Sequence, residues 1–312
     1  MPYAEGMAGA KVLVVGSCMM DLVVRAPRHP RRGETLFGHD FQTGVGGKGL
    51  NQAVAARRAG AASVELIGRI GDDPFGAAIK AFLEEAGVGS THLVIDHETG
   101  TGVAVPIVYD DGGNTILSVP RANLAMTAAD IHAAGPAFGA ADILLLQLEV
   151  AIDAVTAAVE LARECGLTTI LNAAPAAPLP AGVRGLPGVL VVNELEAEAL
   201  LPGFVGDWAA KAMALLERET GLAVITLGEE GAVAARADGS VVHVPPFPVM
   251  AIDSVGAGDA FCGAFAVCLA EGAGVREALR FASAAGALAA TKAGAAASLP
   301  IRADIARLLS IR

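Results

Sequence analysis

The chain has 312 residues, of which 54% are hydrophobic and 18% are charged, and this composition excludes a disordered or fibrous protein because it supports a large buried core. The formal net charge of −11 argues against a nucleic-acid surface, which requires clustered Lys and Arg. A small molecule is therefore the expected partner.

Membrane and secretory segments are not predicted. Gln147, Glu149 and Asp153 interrupt the strongest apolar run before it reaches the roughly 18 residues of a membrane span. The N-terminus lacks the basic start, apolar stretch and cleavage site of a secretory signal. We therefore expect a soluble, cytoplasmic protein.

The cysteines are expected to be small buried hydrophobic residues. They form no CxxC pair, they have no His partner at metal-ligand spacing, and each lies in an apolar run. We expect neither disulfides nor structural zinc. The four are Cys18, Cys165, Cys262 and Cys268.

Short apolar segments alternate with helix-patterned segments along the chain. The strand candidates are wholly apolar, as in a mostly parallel sheet that is buried on both faces. They are Lys11–Val15, Val64–Ile67, Ile143–Gln147, Thr169–Asn172, Val189–Asn193, Ala223–Leu227 and Gly231–Ala235. The helix candidates include Gly49–Ala59, Ala77–Ala86, Ile152–Cys165, Asp207–Thr220, Ala260–Glu271 and Val275–Ala290. The alternation predicts a doubly wound α/β fold.

Two segments, at about 21–44 and 100–119, depart from this alternation. Asp21–Gly44 and Gly100–Val119 have period-2 patterning, and the Asp110–Asn114 cluster is typical of a hairpin turn. We expect these segments to form a small β-sheet lid on a single domain that spans residues 1–312. Ala173–Pro187 is interpreted as an ordered surface loop.

The segment Asp253-Ser254-Val255-Gly256-Ala257-Gly258-Asp259 is the most informative motif. Gly256 and Gly258 permit a tight turn whose backbone N–H groups face an anion at a helix N-terminus. Asp259 beside them suits phosphoryl transfer, in which a carboxylate accepts the proton of the attacking hydroxyl. Taken alone, the motif is equally compatible with a glycine-rich turn capped by Asp259.

A second motif is Gly46-Gly47-Lys48-Gly49-Leu50-Asn51-Gln52. A glycine pair before a helix brings backbone close to a ligand, and the Asn51 amide can bind sugar hydroxyls. The segment is not a P-loop, because Lys48 precedes Gly49 instead of Ser or Thr and position 42 is Gln instead of Gly.

Seven motifs together resemble the ribokinase family of carbohydrate kinases in order and spacing, from about Val12 to Pro300. They are Gly16-Ser17-x-x-x-Asp21, Gly46-Gly47-Lys48-Gly49-x-Asn51-Gln52, Gln147-Leu148-Glu149, Asn172-x-x-Pro175-Ala176, Asn193-Glu194-x-Glu196, Thr226-Leu227-Gly228 and Asp253-x-x-Gly256-Ala257-Gly258-Asp259. The resemblance implies a ribokinase-like α/β fold with a small β-sheet lid. It also implies ATP-dependent phosphorylation of a sugar, with Mg²⁺ and K⁺.

The resemblance assigns a role to each candidate site residue. It makes Asp259 the catalytic base, beside the anion-binding backbone of Gly256, Ala257 and Gly258. It implies a sugar site formed by Ser17, Met19, Asp21, Gly46, Gly47, Lys48, Asn51, Glu149 and Asp259. It implies an ATP site at Asn193, Thr226, Gly228, Gly231, Gly256 and Gly258. Glu196 is expected to bind magnesium through water, and Asp253, Ala293, Gly294 and Ser298 to bind a monovalent cation.

Simpler alternatives stand beside three of these roles. Asp21 can be a turn cap, Glu149 can face a solvent cleft at the end of its strand, and Glu196 can be a dipole partner in the first turn of a helix. Strand carboxyl ends are nonetheless where open α/β sheets bind ligands.

Two positions depart from the family pattern and bear on the substrate. Met19 occupies a position where many ribokinases have Asn, and losing that amide predicts weaker discrimination against a deoxy sugar. We therefore expect phosphorylation of the 5-hydroxyl of ribose and of 2-deoxyribose. Arg121 replaces a common Gly; if it points into the cleft it favours an acidic or phosphorylated substrate, and if it points outward it is only solvated.

Three alternatives to a pentose kinase follow from the sequence. The first is another kinase of the same family, acting on fructose, a nucleoside, a sugar acid or a sugar phosphate. The second is a non-catalytic sugar-binding or regulatory protein. The third is a dehydrogenase, which the lack of GxGxxG after the first strand disfavours. In the family, lid strands often pair between subunits, and the apolar face of Val103, Val105 and Ile107 leads us to expect a homodimer.

Overall fold

The computed structural model describes residues 9–111, 113–179, 183, 188–216 and 220–311. The strands are β1 (Lys11–Val15), β2 (Met19–Ala26), β3 (Asp40–Gly46), β4 (Ser63–Gly71), β5 (Leu93–Asp96), β6 (Gly102–Tyr109), β7 (Asn114–Val119), β8 (Ile143–Leu146), β9 (Thr168–Asn172), β10 (Val189–Asn193), β11 (Leu222–Thr226), β12 (Ala232–Arg236) and β13 (Val241–Val244).

The helices are α1 (Lys48–Arg58), α2 (Pro74–Glu85), α3 (Ala128–Ala133), α4 (Gly135–Ala140), α5 (Ile152–Glu164), α6 (Glu194–Leu200), α7 (Trp208–Ala214), α8 (Ala257–Ala270), α9 (Val275–Ala290) and α10 (Arg302–Ser310). Short 3₁₀ turns cover Arg121–Ala125 and Gly228–Glu230. None of the helices in these ranges is long and apolar enough to cross a membrane.

The main sheet has nine strands in the order β13-β12-β11-β10-β9-β8-β1-β4-β5. From β11 to β5 every neighbouring pair is parallel, and β12 and β13 add an antiparallel hairpin at one edge. The central strands are buried on both faces; all four residues of Ile143–Leu146 are buried. This confirms the doubly wound, mostly parallel α/β fold that the wholly apolar segments predict.

The core lies in two layers, one on each face of the main sheet. Alternating side chains of β1 enter different layers, because successive strand residues point to opposite faces. Val12 and Val14 pack with helices α1, α8 and α9, and Leu13 and Val15 pack with α5.

The lid is a separate four-stranded sheet in the order β3-β2-β6-β7. Strand β2 pairs antiparallel with β3 and parallel with β6, and β6 and β7 form a hairpin closed by Tyr109 N–H donating to the Gly113 carbonyl at 2.8 Å. The expected hairpin turn is therefore confirmed, although Gly112 lies outside the described residues.

Most predicted elements are confirmed to within a few residues, with three corrections. The helix predicted for Asp207–Thr220 ends at Ala214, and residues 217–219 lie outside the described part of the chain. Strand β4 runs to Gly71, well beyond the predicted Ile67. Cys165 is exposed at the C-cap of α5, unlike the other three cysteines, because the helix ends there at the surface. Part of the Ala173–Pro187 loop, residues 180–182 and 184–187, is also outside the described residues.

Helices α1 and α8 approach closely because α8 has a glycine at the contact. A Cβ at Gly263 would lie 2.5 Å from the Ala55 Cβ and 2.7 Å from both the Ala56 nitrogen and the Gln52 carbonyl oxygen. Two of these atoms belong to the backbone and cannot turn away. This contact fixes the distance between the helix that carries Asn51 and Gln52 and the helix that carries Asp259.

We predict that Gly263→Ala destabilises the protein by about 1 to 3 kcal/mol, as expected for overpacking a tight contact. Urea unfolding measures the effect. The matched control is Gly139→Ala in α4, where an added Cβ meets no atom within 4 Å. That change should be neutral or stabilising by up to about 1 kcal/mol. Equal stability of the two variants would contradict the close-contact argument.

Candidate active site

Several of the predicted site residues follow β1 and β8, the two strands between which the strand order of the main sheet reverses. From the central β1, the chain builds β4 and β5 on one side, then returns to build β8, β9, β10 and β11 on the other. The carboxyl ends of β1 and β8 diverge into different loops here, and such a crevice is the usual ligand site of a doubly wound sheet.

The loop after β1 packs directly against the start of α1. A Cβ at Gly49 would lie 2.4 Å from the Gly16 carbonyl carbon, and Leu50 N–H donates to the Ser17 carbonyl at 2.9 Å. Gly47 has a φ of +92°, a region that favours glycine. These glycines bring the second motif against the end of β1.

Glu149 holds this junction together. Its Oε2 accepts a hydrogen bond from the Ser17 hydroxyl at 2.5 Å and another from the Lys48 backbone N–H at 3.0 Å. Ser17 is fully buried. Ser17 and Glu149 were both predicted to bind sugar. Their hydrogen bonds also join the segment after β8 to the start of α1.

Asp21 lies on the lid strand β2, with its carboxylate over Gly46. A Cβ at Gly46 would lie only 2.3 Å from Asp21 Oδ2, so the carboxylate packs directly on the Gly46 backbone. The pKa of Asp21 is raised to about 6, mainly by burial and also by the negative charges of Glu149 and Asp259. The turn-cap alternative does not explain a carboxylate placed among other acids.

Asp259 is buried in the first turn of α8 and is held by two amides of α1. Asn51 Nδ2 donates to Oδ2 at 2.9 Å, and Gln52 Nε2 donates to Oδ1 at 2.9 Å. Burial raises the pKa of Asp259, while the Lys48 ammonium and these two amides act in the opposite direction. The carboxylate therefore has a fixed orientation and a proton affinity above the ordinary one, both of which suit a general base.

The turn before α8 has the features expected of an anion site. Gly256 is left-handed, with a φ of +80°, and a Cβ at Gly258 would meet no atom within 4 Å. The first N–H groups of a helix have no carbonyl partner within the helix, and they attract an anion. Open space therefore lies beside the buried Asp259 at the start of α8.

Asn193 and Glu196 form a capping box at the start of α6. The Asn193 Oδ1 accepts from Glu196 N–H, and Glu196 Oε2 accepts from Asn193 N–H, both at 2.8 Å. Burial raises the pKa of Glu196, and the Lys48 charge opposes this effect. Both side chains thus have a structural role at the end of β10, and Glu196 is close enough to Lys48 and Asp259 to interact with them electrostatically.

The other residues predicted for the nucleotide follow the next strand. Thr226 ends β11, and its hydroxyl donates to the Val192 carbonyl at 3.4 Å. Gly228 and Gly231 have φ values of +48° and +94°. A Cβ at Gly231 would lie 2.1 Å from the Val244 carbonyl oxygen, so this turn requires glycine.

The predicted cation residues meet where the turn before α8 packs on the segment after α9. Asp253 accepts from Val255 N–H at 3.0 Å and from Gly294 N–H at 2.9 Å. The buried Ser298 hydroxyl donates to the Ala295 carbonyl at 2.8 Å. A hydrogen bond thus joins these two segments, whose carboxylate, hydroxyl and carbonyl groups are of the kind that hard cations prefer as ligands.

Arg121 lies against the backbone that leads into β6. Its Nη1 donates to the Thr101 carbonyl at 3.1 Å, the residue is exposed, and a Cβ at Gly100 would collide with the guanidinium. Its φ is +46°, which explains why glycine suits this position. These contacts favour the outward alternative for its side chain.

Met19 is buried at the start of β2, two residues before Asp21 and therefore on the same face of the lid. The Ser118 hydroxyl lies 3.8 Å from its sulfur. An apolar side chain thus occupies the lid face that also carries the Asp21 carboxylate.

Three buried amides that join the site to the sheet were not assigned roles from the sequence. Gln52 Nε2 also donates to Asn172 Oδ1 at 3.0 Å, and Gln147 Nε2 donates to Gln52 Oε1 at 2.6 Å. Two of them could have been found from their position in the sequence, because Gln147 and Asn172 are each a polar residue at the end of an apolar strand segment.

The chain is similar to known proteins over nearly its whole length. Residues 10–302 match the family described as pfkB family carbohydrate kinase. The chain is 39% identical to the ribokinase of Bacillus subtilis over 96% of this chain and 99% of that protein. It is 34% identical to the deoxyribokinase of Salmonella typhi over 93% of this chain and 95% of that protein. The structure of Arabidopsis thaliana ribokinase complexed with ribose and ATP superposes with a TM-score of 0.87 at 29% identity, covering 98% of this chain and 100% of that one.

We predict that Asp21 makes the folded protein less stable as pH rises from about 4 to about 6. A carboxyl whose folded pKa is raised binds its proton more tightly when folded, so the stability it contributes at low pH is lost through this window. Between pH 4 and pH 7, the free energy of unfolding of Asp21→Asn should rise by about 1 to 2 kcal/mol relative to that of wild type, after allowance for partial exposure of Asp21. Urea unfolding at both pH values measures this, and a constant difference between the two proteins would contradict it.

Proposed function

The chain belongs to the pfkB family of carbohydrate kinases, and on this premise we propose that it transfers the γ-phosphate of ATP to the 5-hydroxyl of a pentose. The products are the sugar 5-phosphate and ADP. The observation that carries the proposal is the buried Asp259 carboxylate, which two α1 amides hold beside the open N-terminus of α8. The ribokinase relatives and the ribokinase structure with ribose and ATP support the choice of substrates.

In the proposed mechanism, Asp259 accepts the proton of the attacking hydroxyl. The backbone N–H groups in the first turn of α8 stabilise negative charge on the phosphate that is transferred, which is the main contribution a protein makes in such reactions. Asp21, on the lid, and Asn51, whose buried Oδ1 has no hydrogen-bond partner among the described residues, would bind sugar hydroxyls. Closure of the lid excludes water, which would otherwise compete as the acceptor.

Mg²⁺ and K⁺ are part of the proposal. Glu196 would hold magnesium through water, and a divalent cation would neutralise charge on the phosphates. The oxygen ligands of Asp253, Ser298 and the Ala293 and Gly294 carbonyls suit a monovalent cation beside the anion turn. Asn193, Thr226, Gly228 and Gly231 would line the nucleotide site.

A neutral pentose is favoured over a sugar acid or a sugar phosphate. Arg121, the cation that would recognise an acidic substrate, has its guanidinium on the Thr101 carbonyl and the Gly100 backbone. We include 2-deoxyribose as a substrate because Met19 is buried on the same lid face as Asp21 and because a deoxyribokinase is among the relatives.

We further propose a cytoplasmic homodimer formed through the lid. The strand register places Phe41, Val24 and Ile107 in one row, with Val105 and Leu117 on the same face. Phe41 and Leu117 are each 61% exposed, and an exposed apolar sheet face of this kind is typically covered by a partner.

We predict that Asp259→Asn lowers kcat about 10²- to 10⁴-fold, the usual contribution of a general base, while ATP and sugar still bind. Coupled ADP release measures turnover, and calorimetry measures binding. The matched control is Asp153→Asn, because Asp153 is also in the first turn of a helix but is exposed. Near-wild-type turnover of Asp259→Asn would exclude it as the base.

We predict that Met19→Asn raises the ratio of kcat/KM for ribose over 2-deoxyribose by about 10-fold or more, because an unpaired buried amide penalises the sugar that lacks the 2-hydroxyl. The assay compares ribose, 2-deoxyribose, fructose, a nucleoside and a sugar acid. Met19→Leu keeps an apolar side chain and should leave the ratio unchanged. An unchanged ratio in Met19→Asn would show that Met19 does not determine the choice between the two pentoses. Activity on the sugar acid alone would indicate that Arg121 binds the substrate.

A further inference from the structure

A row of buried amides connects the backbone of β10 to the Asp259 carboxylate. Asn172 Nδ2 donates to the Val191 carbonyl at 3.2 Å, and Gln52 Nε2 donates to Asn172 Oδ1 at 3.0 Å. The same Gln52 nitrogen donates to Asp259 Oδ1 at 2.9 Å. Gln147 completes the row by donating to Gln52 Oε1 at 2.6 Å.

The backbone carbonyl at one end of the row fixes the direction of every hydrogen bond in it. The Val191 carbonyl can only accept, so the nitrogen of Asn172 must face it and the Asn172 oxygen must face Gln52. Gln52 must then present its nitrogen to Asn172, and both hydrogens of that nitrogen are used, one by Asn172 and one by Asp259. Its oxygen is left to accept from Gln147.

The alternative rotation of the Gln52 amide is therefore excluded. Turning it over would place the Gln52 oxygen against the Asp259 carboxylate and the Asn172 oxygen, both of which are acceptors. It would also place the Gln52 nitrogen against the Gln147 nitrogen, and both of these are donors. Gln52 and Gln147 are fully buried, so water does not compensate for such mismatches.

We propose that Gln52 is a positioning residue for Asp259, held as an obligatory hydrogen-bond donor by the amide row that begins at the Val191 carbonyl. This inference rests on the proposed function, in which Asp259 is the base. Gln52 acts through Asp259 and not on the sugar: it fixes which oxygen of the carboxylate is occupied, and it favours the ionised form that can accept a proton.

Other charged and titratable groups also act on Asp259, and Gln52 must be separated from them. The groups that interact electrostatically with Asp259 lie on the lid, on α1, after β8, on α6 and on α8 itself. They are Asp21, Lys48, Glu149, Glu196 and Cys262. None of them changes in a variant of Gln52 alone, so a change in the titration of Asp259 in such a variant reports on the amide.

The test measures the pKa of Asp259 directly in the full chain, by carbon-13 NMR of protein labelled at aspartate carboxyls. The Asp259 signal is the one missing from Asp259→Asn. We expect Gln52→Met to raise this pKa by about one pH unit, the usual effect of removing a hydrogen bond to a charged group. The acid limb of the kcat/KM profile should move upward by the same amount.

The matched control is Gln147→Met. It removes another amide from the same buried row, the one that donates to Gln52 Oε1. Gln52 keeps its own hydrogen bonds to Asn172 and Asp259. The Asp259 pKa should stay at the wild-type value in this variant. An unchanged pKa in Gln52→Met, or an equal shift in both variants, would overturn the proposal.

A second variant decides the matter if Gln52→Met does not fold. Gln52→Glu keeps the shape of the side chain and replaces the donor with a carboxyl beside Asp259, which should raise the apparent pKa of the pair well above that of Asp259 in wild type. A pKa at or below the wild-type value would overturn the inference. If the wild type phosphorylates none of the sugars, the proposed function is wrong. The titration of Asp259 in the Gln52 variants would still test whether Gln52 positions it.

Discussion

The carboxylate of Asp259 is a charge that the fold must bury and yet keep available for protonation. Burying an isolated ionised carboxylate is costly, and the protein limits the cost with paired hydrogen bonds and a nearby cation. Asn51 and Gln52 supply one N–H to each oxygen, and Lys48 supplies the charge. The close contact of α8 with α1 at Gly263 brings these donors to the carboxylate.

Glycines make that arrangement possible by allowing backbone segments to touch. Gly49 lets the start of α1 reach the loop after β1, and Gly263 lets α8 lie against α1. A side chain at either position would push the donors away from Asp259. These two glycines therefore determine where the amide donors lie relative to the Asp259 carboxylate, because the donors are carried by closely packed helices.

The sequence predicted features that depend on local patterns and failed to predict those that depend on distant contacts. Wholly apolar segments such as Ile143–Leu146 were recognisable as buried strands, and Gly256 as a turn before a helix. The contact of Gln52 with Asp259 spans 207 positions along the chain, so no periodicity reveals it. Exposure of Cys165 depends on where its helix ends at the surface. The left-handed backbone of Arg121 is likewise set by its tertiary surroundings.

The charge around the site constrains the kind of molecule that can occupy it. Asp21, Glu149, Glu196 and Asp259 all interact electrostatically within one region, and Lys48 is the cation that counters Asp259, Glu149 and Glu196 there. A negatively charged sugar would add electrostatic repulsion at a place where several carboxylates are already close together. A neutral polyol instead supplies hydroxyl donors to the carboxylates, and the positive end of α8 is left for the phosphate. We therefore propose that sugar hydroxyls lie against the carboxylates and that the phosphate lies at the N-terminus of α8, beside Asp259.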